Sequence, residues 1–333
     1  MVNKYDVYGM GNALVDIVSS VGYDFLKDNE VEKGLMTLVD EERQNELISS
    51  LPKENREMQC GGSAANTVIA VSQFGGSSYY SCKVSNDNFG NFYLNDIASN
   101  GVDTNLNIDT LEPGITGKCL VMVSPDADRT MNTFLGITTT YSIKELNYEA
   151  LMESNYLYME GYLVSTDHGK EAMIKAKKFA EDNGIYTSLT FSDPAMVKYF
   201  RDDMKEIIGA GVDLLFCNEE EAMLYTGSDS LSEAREELKK ISKRFAITQG
   251  SNGAMIFDGD TFIDIEPYKV EAIDTVGAGD MFSGAFLYAI NHGHSFAEAG
   301  KLASLASSKI VSKVGPRISI NEAKELLVEL IQG

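Results

Sequence analysis

Cysteine, histidine and basic residues are the scarce components of this 333-residue chain, and each scarcity removes a class of function. Cys60, Cys82, Cys119 and Cys217 show none of the paired spacings of zinc sites or redox motifs, so they read as buried thiols in a reducing compartment. His168, His292 and His294 carry no metal spacing, which leaves a histidine-based site unsupported. Only 28 basic residues stand against 50 acidic ones, and the net charge of −22 repels nucleic acid and anionic membranes. No apolar run reaches transmembrane length, and the stretch from Met1 to Asp6 has no signal-peptide pattern, so the expected location is cytoplasmic. No Pro/Gly-rich linker, internal repeat or low-complexity segment divides the chain. Two phosphate-binding signatures are missing too. There is no Gly-x4-Gly-Lys-Ser/Thr loop, and after Gly9 and Gly11 the third glycine of a dinucleotide fingerprint is replaced by Ala13-Leu14.

What is present is a soluble globular composition, 44% hydrophobic and 23% charged, with ample core. Strand-like and helix-like runs alternate along it. Residues 5–11 form a short strand ending in Gly9-Met-Gly11, and 12–18 a second one with Asp16 among Leu14, Val15, Ile17 and Val18. Leu35–Val39 is another strand, after which Asp40 caps a helix carrying Arg43 and Leu47. A helix follows Cys60-Gly-Gly-Ser-Ala-Ala-Asn66. Then come strand Tyr79–Cys82, helix Asn88–Ser99, and a hairpin of Gly117–Val123 with Arg129–Phe134 across residues 124–128. Beyond residue 150, strands Asn155–Glu160, Tyr186–Phe191, Asp213–Cys217 and Phe245–Thr248 alternate with helices near 168–182, 194–208, 219–225 and 231–243. The pattern predicts a central, mostly parallel sheet with helices on both faces. Residues 13–20, 35–39, 117–123 and 129–134 would form a small separate sheet on it. The whole of 1–333 reads as one α/β domain.

The chemistry concentrates in Asp274-Thr-Val-Gly-Ala-Gly-Asp280-Met-Phe-Ser-Gly-Ala-Phe286. A strand-like run, Lys269–Ile273, precedes it, and a helix with Met281, Phe282, Ala285, Tyr288 and Ala289 on its buried face follows. Gly277, Ala278 and Gly279 leave the backbone N–H groups of the helix start uncovered, a natural anion site. Asp280, a carboxylate in an anion site, suggests phosphoryl transfer in which it takes a proton from an attacking hydroxyl. The competing reading is a Gly-rich turn whose aspartate caps the helix.

The stretch 274–286 resembles the C-terminal signature of the ribokinase-type (PfkB) carbohydrate kinases, a family that includes adenosine kinases, and the other motifs stand in family order from Gly9 to Ser319. The resemblance implies a ribokinase-like α/β fold whose small sheet is a lid, with ATP as phosphate donor. It implies Asp280 as base and Gly277, Ala278 and Gly279 as anion hole. Asn12 and Asp16, with Gly61, Gly62 and Asn66, would hold the acceptor's hydroxyls; a solvent-facing strand acid and a helix-capping loop explain the same letters. Asn218 and Glu221 match an Asn-x-x-Glu pair that orders Mg2+ through water, although three acids in a first helical turn also suit the helix dipole. Thr248, Gly250 and Gly253 fall where family members turn beside the nucleotide, and Ala303 lies on a small-residue stripe that could flank adenine or simply pack. Arg129, on the hairpin, is a candidate phosphate contact or a solvated surface arginine. Asp274, Gly315 and Ser319 match a loop that binds K+ in several members, and any Gly-Pro turn looks alike.

For the acceptor, Ser63 stands where many sugar kinases of the family carry a basic residue, and the surrounding runs look closer to adenosine kinases. Met131 and Phe134 could cover a nucleobase, or pack the lid. The expectation is a purine nucleoside, adenosine first, phosphorylated at its 5′-hydroxyl; the alternatives are a ribose- or fructose-type sugar, a non-catalytic nucleotide or sugar binder, and a dinucleotide-dependent oxidoreductase. A homodimer through the exposed lid strands is a further expectation.

Overall fold

The near-continuous burial of Tyr5–Met10 marks a strand covered on both faces, as a central parallel strand must be. The computed structural model describes residues 3–332 apart from 35, 52–55 and 127, so Leu35 of the expected strand lies outside the described residues. In chain order the first strands are β1 (Tyr5–Met10), β2 (Leu14–Ser20), β3 (Met36–Leu38), β4 (Arg56–Gly61), β5 (Ser78–Ser81) and β6 (Val102–Thr104). They continue as β7 (Gly117–Val123), β8 (Arg129–Phe134), β9 (Ser154–Glu160) and β10 (Tyr186–Thr190). The last are β11 (Leu214–Asn218), β12 (Phe245–Thr248), β13 (Ala254–Phe257) and β14 (Phe262–Ile265).

The large sheet runs β14-β13-β12-β11-β10-β9-β1-β5-β6. It is parallel except at one edge, where β13 and β14 turn antiparallel, which is the mostly parallel sheet expected. From β1 the chain steps to β5 on one side and returns to β9 on the other. That reversal opens a crevice at the carboxyl ends of β1 and β9, where α/β sheets place their ligands.

A second sheet, ordered β3-β8-β7-β2-β4, sits beside this crevice. Its alternation divides its residues cleanly. Asp16, Val18, Cys119, Val121, Met131 and Thr133 line the cavity between the sheets, whereas Val15, Ile17, Leu120 and Met122 join the core. The predicted lid thus exists as a separate sheet, with β4 as a strand that the sequence reading passed over.

Three helices bring key residues to the cavity, α1 (Ser63–Gln73), α2 (Glu219–Thr226) and α3 (Ala278–Asn291), and α4 (Phe296–Val311) packs against α3 from outside it. Close packing of α3 on α1 requires Gly284, since a Cβ there would collide with Ala70 and the Thr67 carbonyl. Three local expectations change. Residues 269–273 are not a strand; Ile273 and Asp274 instead donate their N–H groups to the Val311 carbonyl. The helix expected over 231–243 ends at Leu238, and Tyr288 is only half-buried. Among the described residues, no helix is long and apolar enough to cross a membrane.

Candidate active site

One cavity of about 470 Å³ lies between the two sheets, and most of the predicted residues meet there. Asn12, Asp16, Gly62, Asn66, Arg129, Met131, Asn218, Glu221, Thr248, Gly277, Gly279 and Asp280 all line it.

Asp280 sits in the first turn of α3, pointed toward the start of α1. Its Oδ1 accepts from Ser63 Oγ at 2.6 Å and its Oδ2 from Asn66 Nδ2 at 3.1 Å. Burial raises its pKa to about 6, against the lowering effect of the Ser63 and Asn66 donors. A carboxylate in that range is well placed to take a proton near neutral pH. Beside it, Gly277 caps α3 in the left-handed conformation (φ 78°). A Cβ at Gly277 would also collide with Pro316, so only glycine fits. A Cβ at Gly279 would meet nothing, which leaves the approach to the helix N-terminus open. Ala278 packs against the core and does not line the cavity.

Asp16 stands across the cavity on β2, and Gly61 makes room for it, since a Cβ there would strike both carboxylate oxygens. Gly61 acts by this clearance and is itself outside the lining. Burial pushes Asp16 up to about 7; the Arg317 and Arg129 guanidinium charges oppose this and the Asp280 charge adds to it. Asn66 is 7% exposed, and its Oδ1 has no partner, an acceptor waiting for a donor. Asn12 Oδ1 accepts from Thr138 Oγ1 at 3.1 Å.

Glu160 is the residue the sequence reading missed. It ends β9, is 1% exposed, and accepts from the backbone N–H groups of Asn12 (3.1 Å) and Ala64 (2.8 Å). It thereby joins the ends of β1, β9 and α1, and Gly11 leaves the space it fills. Burial raises it to about 7, the two N–H donors opposing. An acid closing an apolar core strand was the available signal.

On the opposite wall Asn218 and Glu221 cap α2 reciprocally: Asn218 N–H donates to Glu221 Oε2 (2.9 Å), and Glu221 N–H to Asn218 Oδ1 (2.8 Å). Burial lifts Glu221 to about 7 with Asp193 and Glu220 adding, while the Asn218 N–H opposes. A buried acid facing a cavity and bordered by other acids suits a hard oxygen-bound cation such as Mg2+. Among the described residues no cluster of three metal-ligating side chains forms, so such a cation would take phosphate and water for its remaining ligands.

Other expectations land elsewhere. Ala303 is fully buried in the core, where its small size serves helix packing, and it does not reach the cavity. Gly250 and Gly253 form the turn from β12 to β13; Gly253 (φ 90°) is needed because a Cβ would strike the Ile265 carbonyl, and neither lines the cavity. Phe134 lies on the opposite face of β8 from Met131 and Thr133, beneath the Lys118 ammonium at 5.8 Å. Of the residues named for K+, Asp274 and Ser319 spend their side-chain oxygens on partners within the chain. Asp274 accepts from the N–H groups of Val276 (3.1 Å) and Gly315 (3.0 Å) and pairs with Arg129 at 2.5 Å. Ser319 Oγ caps the last helix by accepting from Glu322 N–H. Arg129 is accordingly a buried partner of Asp274 at the cavity wall.

The comparisons with known proteins agree with this geometry. A family profile described as pfkB family carbohydrate kinase matches residues 35–323. A probable sugar kinase from Rhizobium etli has the same fold, with a TM-score of 0.89 and 32% identity over 98% of this chain and 99% of that one. An adenosine kinase from Sinorhizobium meliloti superposes with a TM-score of 0.88 at 31% identity, covering 97% and 99% of the two chains. A ribokinase from Staphylococcus aureus is 28% identical over 275 residues, 80% of this chain and 86% of that protein. The chain therefore belongs to the pfkB family of carbohydrate kinases, ribokinase-like phosphotransferases that act on alcohol groups and use ATP.

Proposed function

We propose that this chain phosphorylates a nucleoside at a primary hydroxyl, adenosine at its 5′-oxygen first, with ATP and Mg2+. The observation that carries the nucleoside reading is the apolar strip that the small sheet turns toward the cavity. Leu14, Val18, Val121 and Met131 line it, with Leu135 just past the end of β8, next to the polar pair Asp16 and Asn66. A nucleobase has a broad flat face for such a wall, whereas a free sugar offers only small C–H patches. Ser63 supports the same reading, because the position opposite the base holds a short neutral side chain instead of a cation.

In this reading Asp16 and the unpartnered Oδ1 of Asn66 accept from the ribose hydroxyls and set the primary hydroxyl against Asp280. Asp280 takes the hydroxyl proton as the oxygen attacks the γ-phosphorus and ADP leaves. The N–H groups at the start of α3 meet the charge developing on the transferred group. Asn218 and Glu221 would hold Mg2+ through water, and the bound cation would neutralise phosphate charge. Thr248, at the end of β12, adds a hydroxyl to the nucleotide side.

A sugar acceptor is the second reading, and it rests on the Rhizobium etli sugar kinase, which resembles this chain as closely as the adenosine kinase does. Comparing adenosine with 2′-deoxyadenosine tests the roles of Asp16 and Asn66. Loss of one hydrogen bond to a buried charged or unpaired acceptor lowers kcat/KM by roughly 10-fold or more. Equal turnover of the two would remove both residues from ribose recognition.

A further inference from the structure

The segment Gly315–Arg317 touches both halves of the active site. Pro316 packs against Gly277, the residue that shapes the anion hole. Gly315 donates its N–H to Asp274, the anchor of the loop leading to Gly277. Arg317 reaches the other way, into the acceptor half. Its Nη1 lies 3.2 Å from Asp96 Oδ2, while Nη2 donates to the Cys60 carbonyl and lies 2.9 Å from Cys60 Sγ. Asp96 Oδ2 in turn accepts the Cys60 N–H at 2.7 Å. Both backbone polar groups of Cys60 are therefore fixed by one ion pair.

Cys60 pairs with Val15 on β2, and the next residue, Gly61, lies against the Asp16 carboxylate. The Arg317 side chain is 13% exposed, so the fork is shielded from water and salt. A short rigid strut thus runs from the anion hole through Pro316 and Arg317 to the backbone under Asp16.

We propose that Arg317 is a positioning residue that sets the distance between the bound acceptor and the anion hole. It does not line the cavity, where Pro316 does. Its planar fork serves three acceptor atoms at once, which a lysine ammonium on a flexible stem does not reproduce. Misplacement of reacting groups by about 1 Å lowers turnover by roughly 100-fold. The proposal requires only that the chain is a kinase, whichever alcohol it phosphorylates.

The experiment compares wild type, Arg317→Ala and Arg317→Lys in ATP-dependent phosphorylation, with adenosine and ribose as the two probes. Acceptor-independent ATP hydrolysis is followed in parallel. The expected result is a fall in acceptor kcat/KM of about 100-fold for Arg317→Ala and about 10-fold for Arg317→Lys. Hydrolysis of ATP by water should stay within about 3-fold, because the anion hole keeps its own contacts. Added guanidinium should restore transfer in the alanine variant and leave wild type unchanged. Equal loss of transfer and hydrolysis, or wild-type transfer in a folded variant, overturns the proposal. Should Arg317→Ala fail to fold, Asp96→Asn weakens the same fork from its partner, and undiminished transfer in that variant overturns it equally.

Discussion

Ser63 Oγ donates a 2.6 Å hydrogen bond to Asp280 Oδ1, joining the first turns of two helices that lie 217 residues apart in the chain. The bond fixes the rotamer of the proposed base. It also stabilises the ionised form and so opposes the effect of burial. Replacing Asp280 with Asn keeps the shape and removes the proton acceptor. The expected loss in kcat is roughly 10²- to 10⁴-fold, with ATP affinity little changed. Steady-state kinetics with saturating acceptor checks this.

Protonation sets the second expectation. With Asp280 near 6, kcat should rise as pH increases through about 6 and level off above it, since the base must be ionised. Ser63→Ala removes a donor to the ionised form, so the midpoint of the rise should move to higher pH. A midpoint that stays in place separates Ser63 from the base.

Stability should move in the opposite direction. Asp16, Glu160, Glu221 and Asp280 all titrate above their ordinary values, so these four groups hold more protons in the folded chain than in the unfolded one between about pH 4 and 7. Their stabilising protonated state is complete at low pH and is lost as pH rises through 6 to 7. The ligand-free protein should therefore melt higher at pH 5.5 than at pH 8, by roughly 2–5 °C. Thermal melts across that range test it, and a flat or rising Tm contradicts it.

Two glycines in one loop should respond differently. Gly277→Ala forces a side chain into a left-handed backbone and against Pro316, so it should lower Tm and activity together. Gly279→Ala meets no protein atom and should leave Tm within a degree or so. Any loss of activity there reports crowding of the phosphate at the helix start. Melting curves and turnover measured on the same preparations separate the two effects.

The pairing of Arg129 with Asp274 gives a fifth expectation. Both side chains are at least nine-tenths buried, so Arg129→Met leaves an uncompensated charge and should destabilise by about 3–5 kcal/mol. The double variant Arg129→Met with Asp274→Asn should lose less than the sum of the two single changes. Denaturant titration of the four proteins gives the coupling.

Much of this arrangement was legible in the residues themselves. Asp280 with its glycines stood out in the residues, Asp16, Asn66, Asn218 and Glu221 were named through the family resemblance, and the fold brings them to one cavity. What escaped reading depended on tertiary context. β4 begins with Arg56, Glu57 and Met58 at a sheet edge, so charge masks its alternation. The run 269–273 has strand-like composition, but it leads into a loop held by the Val311 carbonyl and never meets a sheet edge. Glu160 and Arg317 gain meaning only from Gly11, Cys60 and Asp96, which lie far away in sequence. Ala303 shows the converse: a small residue on a helical stripe serves packing when the neighbouring helix leaves no gap.

The nucleoside assignment is tested most directly by ADP release with ATP and Mg2+ over a panel of adenosine, inosine, guanosine, ribose and fructose, with the phosphorylated position identified by NMR. The account predicts the highest kcat/KM for adenosine, with phosphate on the 5′-oxygen. Efficient turnover of ribose or fructose with none of any nucleoside would contradict it, and would assign the apolar wall of the small sheet to packing alone.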